Sequence, residues 1–213
     1  IVSNITVPVL GLVDTAIAGH IGTAAFIGAI AVGSTVFSMM YWLFGFLRMS
    51  TAGLTAQCFG ASDHGGADRV LVRSTALALC FGLLIIVLSP WAGNGAISFM
   101  DAGDDVTRFA LRYFGIVVWG APAVLGMYSA TGWLIGMQDT RLPMMVSVLT
   151  NVVNIALSAT FVFGLDMKIE GIALGTVLSQ WSGYAVCVIA MRRRYRPSLP
   201  RLSVIMDGHA FRG

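Results

Sequence analysis

The 213-residue chain is expected to fold as an all-α membrane protein with six transmembrane helices, and three observations carry that expectation. Mean hydropathy is +0.83, with 57% of residues hydrophobic and 11% charged, far outside the usage of soluble domains. Long uncharged stretches recur between short polar loops, each near the roughly 20 apolar residues a helix needs to cross a bilayer. Lys and Arg gather in alternate loops and in the tail, the pattern of cytoplasmic segments in multi-pass proteins.

The first span is expected over 4–20, closed by the GHIG turn. No cationic leader with an A-x-A site precedes it, so it is read as a span and not as a signal peptide. The chain opens on Ile1, which suggests a piece of a longer polypeptide. The second span, 24–59, is broken only by Arg48 and stops at the polar GASDHGGADR stretch. Its length exceeds one hydrocarbon thickness, so tilt or protrusion is expected. The third, 70–92, is expected to end at Ser89-Pro90, with Asp101, Asp104 and Asp105 in the loop beyond. The fourth, 113–137, carries Pro122, which removes a backbone donor and kinks a helix. The fifth covers 142–165 and the sixth 171–191. Residues 1–195 thus form one six-helix unit, and 196–213 a basic cytoplasmic tail or a linker to a missing second unit.

With a cytoplasmic N-terminus, the inner segments hold Arg69, Arg73, Arg141 and the tail arginines Arg192, Arg193, Arg194, Arg196, Arg201 and Arg212. The outer ones hold Arg108, Arg112 and Lys168, so both termini are expected inside. RRRYR directly after a span reads as a membrane anchor and not as a nucleic-acid patch. No nucleic-acid partner is expected.

Asp14 is an acid set into the first apolar run, GLVDTAIAGH, with Gly11 and Ala18 one turn away on either side. An ionisable group inside a span costs about 2.5–3.5 kcal/mol on insertion scales, so it marks either an interhelical anchor or a functional site. A desolvated carboxylate changes charge with its partners, as proton or cation coupling requires. On the second span Ser34, Ser38, Tyr41, Gly45, Arg48, Thr51 and Thr55 fall at steps of three and four along one face. Arg48 either snorkels to the cytoplasmic interface or pairs with a carboxylate or substrate. Ser147, Asn151, Asn154 and Ser158 share a face of the fifth span. The two carboxamides either bond a neighbouring helix or offer carbonyl oxygens to a cation and hydrogen bonds to Asp14. Gly171, Gly175, Ser179 and Gly183 make a small-residue face on the sixth span, with Thr176 and Gln180 beside it. GAIAVGSTVFS from Gly28 faintly echoes GIALGTVLS from Gly171, the kind of internal repeat that transporters use.

Signatures of enzymatic chemistry are missing: there is no HExxH, GxSxG, P-loop or dinucleotide fingerprint. His20, His64 and His209 have no catalytic setting, and Cys58, Cys80 and Cys187 have no metal-ligand spacing and read as buried small hydrophobes. No cofactor and no metal are expected. The five tryptophans read as interfacial or packing residues.

The segments GLVDTAIAGHIG, YWLFGFLRMSTAGLTAQ, GMQDTRLP and NVVNIALS resemble the multidrug and toxic compound extrusion (MATE) transporters of the MOP superfamily, specifically their DinF-like branch. The resemblance extends over nearly the whole chain. It implies the N-terminal lobe of a twelve-span transporter with a central cavity between two six-helix lobes, which exchanges a proton or cation for an exported organic compound. It places Asp14 at the functional first-span acid, Asn154 at the fifth-span polar position, Thr176 at a sixth-span hydroxyl and Tyr128 at a fourth-span site tyrosine. One departure stands out: where the branch commonly has an aspartate, this sequence has Ser158. A hydroxyl holds no exchangeable charge, which concentrates coupling on Asp14 and favours protons over sodium.

The resulting expectation is an antiporter lobe in a bacterial inner membrane. Asp14, Asn154 and Asn151 serve coupling, and Tyr41, Arg48, Tyr128, Thr176, Ser158 and Gln180 line the cavity for a small, cationic or amphipathic organic substrate. Two rivals are a lipid-linked oligosaccharide flippase of the same superfamily, for which only Arg48 could meet phosphate, and a non-transporting scaffold subunit.

Overall fold

Backbone N–H and C=O groups in hydrocarbon must be satisfied within the protein, so apolar runs of this length fold as helices. The computed structural model describes residues 19, 24–100 and 103–196. Within them lie α1 (Ala24–Leu43), α2 (Gly45–Gly60), α3 (His64–Phe99), α4 (Asp104–Val117), α5 (Ala121–Gly136), α6 (Arg141–Ala159) and α7 (Ile169–Tyr195). Five stretches are long and apolar enough to cross a membrane: Ala25–Gly60, His64–Trp91, Asp104–Gly136, Arg141–Gly164 and Ile169–Tyr195. The span expected over 4–20, and Asp14 with it, lies outside the described residues, as does the tail beyond Arg196.

Several boundaries differ from the sequence expectation, each for a local reason. The second span is one rod with a tight turn at Phe44, whose N–H donates to Tyr41 O at 3.1 Å while Leu47 N–H donates to Phe44 O at 3.0 Å. Gly45 follows at once, and glycine weakens the helical ladder where the chain tightens. At 1.5 Å per residue the 36 residues of this span reach about 54 Å, well beyond a bilayer core of roughly 30 Å.

The polar stretch after Gly60 is mostly helix. Only Ala61–Asp63 turns, because the Asp63 carboxylate accepts Gly66 N–H at 2.8 Å and so caps α3 from His64 onward. At the far end α3 runs through Pro90 to Phe99 and does not stop at Ser89-Pro90. Pro90 has no N–H for Ile86 O, but the Ser89 hydroxyl donates to that carbonyl at 2.8 Å. Asp104 and Asp105, expected in a loop, form the first turn of α4, where acidic side chains meet the positive end of the helix dipole. Pro122 acts at the start of α5, after a 3-10 turn over Val118–Gly120 that separates α5 from α4.

α5 is the hub, packed against α2, α3 and α7, while α6 and α7 form the most extensive pair. Close approach at the hub depends on glycine. A Cβ on Gly132 would stand 2.6 Å from Arg48 O, one on Gly136 2.5 Å from Thr55 Cβ, and one on Gly82 2.5 Å from Pro122 Cα. Thr51 and Thr55 are buried in this contact, whereas Ser34 and Ser38 on α1 are exposed, so the expected polar face does not run the length of the rod. The α7 glycines behave as expected: Gly175 lies against Ser158, Gly183 against Thr150 and Gly171 against Phe161. Of the cysteines, Cys187 is buried, Cys58 half-buried and Cys80 exposed on α3. Cys80 therefore departs from the expected burial, because the apolar run around it turns part of its face away from the core.

Trp133 fixes one end of the bundle. It is buried, donates its indole N–H to Ala67 O at 2.9 Å and meets Tyr195 edge-on with centroids 5.3 Å apart. Beside it Asp139, with a side chain 5% exposed, accepts Arg141 N–H at 3.1 Å, Leu142 N–H at 3.2 Å and Tyr195 OH at 2.8 Å, and stands 3.5 Å from Arg194. The α5–α6 turn, the start of α6 and the end of α7 are thereby tied together. Burial alone would push the Asp139 carboxyl up, but the Tyr195 hydroxyl, the two N–H groups and Arg194 together hold it below its ordinary value of 3.8.

Two outcomes are expected. Gly136→Val forces α2 and α5 apart and should destabilise the fold by about 1–3 kcal/mol, read as a lower thermal midpoint of the purified protein. A carboxylate whose folded pKa is depressed stabilises above its unfolded value and loses that contribution as pH falls through the folded value. Asp139→Asn should therefore melt lower than wild type at pH 7, with the gap closing as pH drops below 3.8.

Candidate functional site

A cavity of about 560 Å³ opens between α2, α5, α6 and α7. Arg48, Tyr128, Asn151 and Gln180 line it, joined by Ser147 and Thr150. Four of the expected site residues, one from each helix, thus meet in one space. Arg48 lies 12 residues before Gly60, about 18 Å along the helix at 1.5 Å per residue. It lines the cavity. Among the described residues no carboxylate pairs with it. Tyr41 is not in the cavity wall, but its hydroxyl is buried within electrostatic reach of Tyr128 and Tyr113 and finds no hydrogen-bond partner among the described residues. Gln180 Oε1 is buried beside Gly120 and is likewise unpartnered there.

Asn154, Ser158 and Thr176 form a separate cluster at the α6–α7 interface. The fifth-span face divides: Ser147 and Asn151 turn to the cavity, while one and two turns on Asn154 and Ser158 are buried at 1% and 0% exposure. Asn154 Nδ2 donates to Thr176 Oγ1 at 3.1 Å and to Ser179 Oγ at 3.4 Å. Its Oδ1 has no partner among the described residues, and neither has Ser158 Oγ. Thr176 and Ser179 spend their own protons on Ile172 O at 3.0 Å and Thr176 O at 2.8 Å, so both act as acceptors toward the carboxamide. Asn154 Oδ1, an acceptor, and the Ser158 hydroxyl, a donor as well as an acceptor, are thus buried one helical turn apart on α6 with unused hydrogen-bonding capacity. Ser158 is followed at once by a π-helical turn over Thr160–Gly164, a distortion that concentrates at working sites.

Some of this geometry escaped the sequence reading. Ser179 read as a packing position, yet it accepts from Asn154; its place three residues after Thr176 was the available signal. Thr131, three residues after Tyr128 on α5, and Thr150, beside Asn151, also line the cavity. Gln180 and Thr176, four apart on α7, serve different spaces.

Asn154→Ala removes two interhelical hydrogen bonds and should destabilise by about 1–3 kcal/mol in thermal or denaturant unfolding. Ser158→Ala removes only an unpartnered hydroxyl and should leave stability unchanged or raised. Equal losses for both variants would mean that the Ser158 hydroxyl has a partner beyond the described residues.

Comparison with known proteins places this arrangement. The family model described as MatE matches residues 1–160. A model described as Lipid II flippase MurJ matches residues 128–207. DNA damage-inducible protein F of Escherichia coli (strain K12) is 40% identical over 193 residues, covering 91% of this chain and 42% of that protein. Probable multidrug resistance protein NorM of Thermotoga maritima is 26% identical over 195 residues, covering 90% of this chain and 42% of that protein. The chain spans less than half the length of these curated relatives. Among solved structures, a MATE protein in complex with MaD5 superposes with a TM-score of 0.87 at 23% identity, over 99% of this chain and 48% of that one. A MOP superfamily transporter from Pyrococcus furiosus gives 0.85 at 23% identity, over 98% and 46%. At these identities the solved structures establish the fold, that of part of one MATE lobe. Proteins of this family are transporters and not enzymes, and with five membrane-length helices among its described residues this multi-pass membrane protein belongs to the MatE family.

Proposed function

We propose that the chain is the N-terminal six-helix lobe of a secondary active exporter. It expels small organic compounds, cationic or amphipathic, in exchange for protons, and Asp14 is the coupling carboxylate. The observation that carries this reading is the cavity of about 560 Å³ inside the spans, where Arg48, Tyr128, Asn151 and Gln180 converge from four helices. Pockets of a few hundred Å³ with an apolar lining and a few placed polar groups suit drug-sized ligands. Relatives named as multidrug resistance proteins support the substrate class.

On this reading Asp14 draws on the acceptor-rich α6–α7 cluster. Protonated, it becomes a donor for an oxygen such as Asn154 Oδ1; ionised, it needs donors or a cation instead. Exchanging these bonds biases the two access states by a few kcal/mol, since one pKa unit is about 1.4 kcal/mol. A second lobe supplies the opposite wall of the cavity. Arg69, Arg73, Arg141, Arg192, Arg193 and Arg194 at the basic end of the bundle support a cytoplasmic location for that end in a bacterial inner membrane.

The flippase reading has its own support, because Arg48 faces the cavity and the lipid II flippase model matches the C-terminal part of the chain. It ranks second because Arg48 is the single cationic residue in the cavity wall among the described residues.

Asp14→Asn in the full-length protein should abolish proton-driven efflux of a cationic dye from inverted vesicles at equal expression. Undiminished efflux would overturn the proposal. A sodium gradient that restores wild-type transport after the proton gradient is collapsed would reassign the coupling ion. Loss of lipid-linked oligosaccharide translocation in Arg48→Gln, with dye export intact, would favour the flippase.

A further inference from the structure

Between α3, α5 and α7 runs a second, narrower groove of about 280 Å³ that shares no residue with the cavity above. Val72, Ala76 and Leu79 of α3, Ala130 of α5 and Val188 of α7 form its apolar wall. Thr75, which also lines it, does not make it polar, because its hydroxyl is bonded to Ser129 Oγ at 3.1 Å. The two long helices run antiparallel here: Trp133 bonds Ala67 at the start of α3 and packs on Tyr195 at the end of α7. Val72 and Arg192 therefore mark one end of the groove, and Leu79 and Tyr184 the deeper end. From Val72 to Leu79 is about 10 Å of helix, a third of a bilayer's hydrocarbon core.

Charge is confined to the shallow end. Arg192 lines the groove and is exposed, and Arg73 is the residue after Val72 on the adjoining flank of α3. Neither joins an ion pair among the described residues, although Arg69, Arg108, Arg112 and Arg194 all do. An apolar slot between membrane-length helices that ends at a guanidinium with no ion pair among the described residues matches a molecule with an acyl chain and an anionic head.

We propose that this groove binds an anionic phospholipid from the bilayer, with one acyl chain along Val72, Ala76, Leu79 and Val188 and the phosphate at Arg192. Bound there, the lipid bridges α3 and α7 across α5 and clamps the end of the bundle from which the chain continues past Arg196. The site does not depend on the transport reading, only on the helices lying in a membrane.

The test is native mass spectrometry of the delipidated full-length protein, titrated with palmitoyl-oleoyl phosphatidylglycerol or phosphatidylcholine. Wild type should retain phosphatidylglycerol about fivefold better, the worth of one Arg at an anionic head group. Arg192→Gln should erase the preference. Ala76→Phe, and Val188→Trp as a second groove-filling variant, should remove bound lipid while the protein stays monodisperse. Arg193→Gln, one position along and outside the groove wall, should behave as wild type. Equal retention of the two lipids, undiminished binding in both groove-filling variants, an equal loss in Arg193→Gln or displacement by excess inorganic phosphate would each overturn the proposal. So would no lipid binding at all, which would mean that the rest of the polypeptide or a second copy covers the groove.

Discussion

The hydrogen bond between the Ser89 hydroxyl and the Ile86 carbonyl shows the constraint on which this structure depends: in lipid, a backbone polar group has no water to fall back on. Pro90 takes away the donor that Ile86 O would have had, and the neighbouring hydroxyl replaces it, so α3 continues across the bilayer. The tight turn at Phe44, the 3-10 turn before Pro122 and the π turn after Ser158 are answers to the same demand, because each keeps the backbone bonded locally where the regular α-helical ladder is interrupted.

Once the helices satisfy their own backbones, what assembles them is close packing of small residues. Gly82, Gly132 and Gly136 let α3 and α2 approach the α5 region to backbone contact, and Gly175 and Gly183 do the same between α7 and α6. Lipid tails are as apolar as leucine, so burying a side chain against a neighbouring helix gains little from water exclusion; dispersion at short range and a few polar bonds carry the association. The bonds are placed sparingly: the Ser74, Thr75 and Ser129 hydroxyls link α3 to α5, Asn154 links α6 to α7, and Asp139 with Tyr195 ties the bundle's basic end.

Against that economy the unpartnered groups stand out. Tyr41 OH, Asn154 Oδ1, Ser158 Oγ and Gln180 Oε1 are buried without partners among the described residues, in or near the two places where candidate site residues gather, and Thr55 Oγ1 is likewise unpartnered in the α2–α5 contact. A purely structural bundle gains by satisfying or removing such groups, since each costs about 1–3 kcal/mol when left buried and unbonded. Their retention fits a protein that supplies the missing partner from a proton, an ion, a substrate or another part of the chain.

Residue order alone determined the helical membrane class, the approximate spans, the charge asymmetry between alternate loops, and the polar residues worth attention, because hydrophobic length and three-to-four spacing are properties of one helix at a time. It also indicated the small-residue face of α7. Helix boundaries at Asp63 and Pro90 were harder to place, since each turns on whether one nearby side chain caps an N–H or rescues a carbonyl. Only the tertiary structure decided how the polar residues group. Asn151 and Asn154 read as one face, yet a rotation of some 60° about the axis, the difference between three residues and a full turn, sends one to the cavity and the other into the α7 interface. Arg48 could have served the interface or the interior until the packing of α2 on α5 turned it to the cavity. The groove at Arg192 belongs to no single helix, and its walls come together only because α3 and α7 run antiparallel against α5.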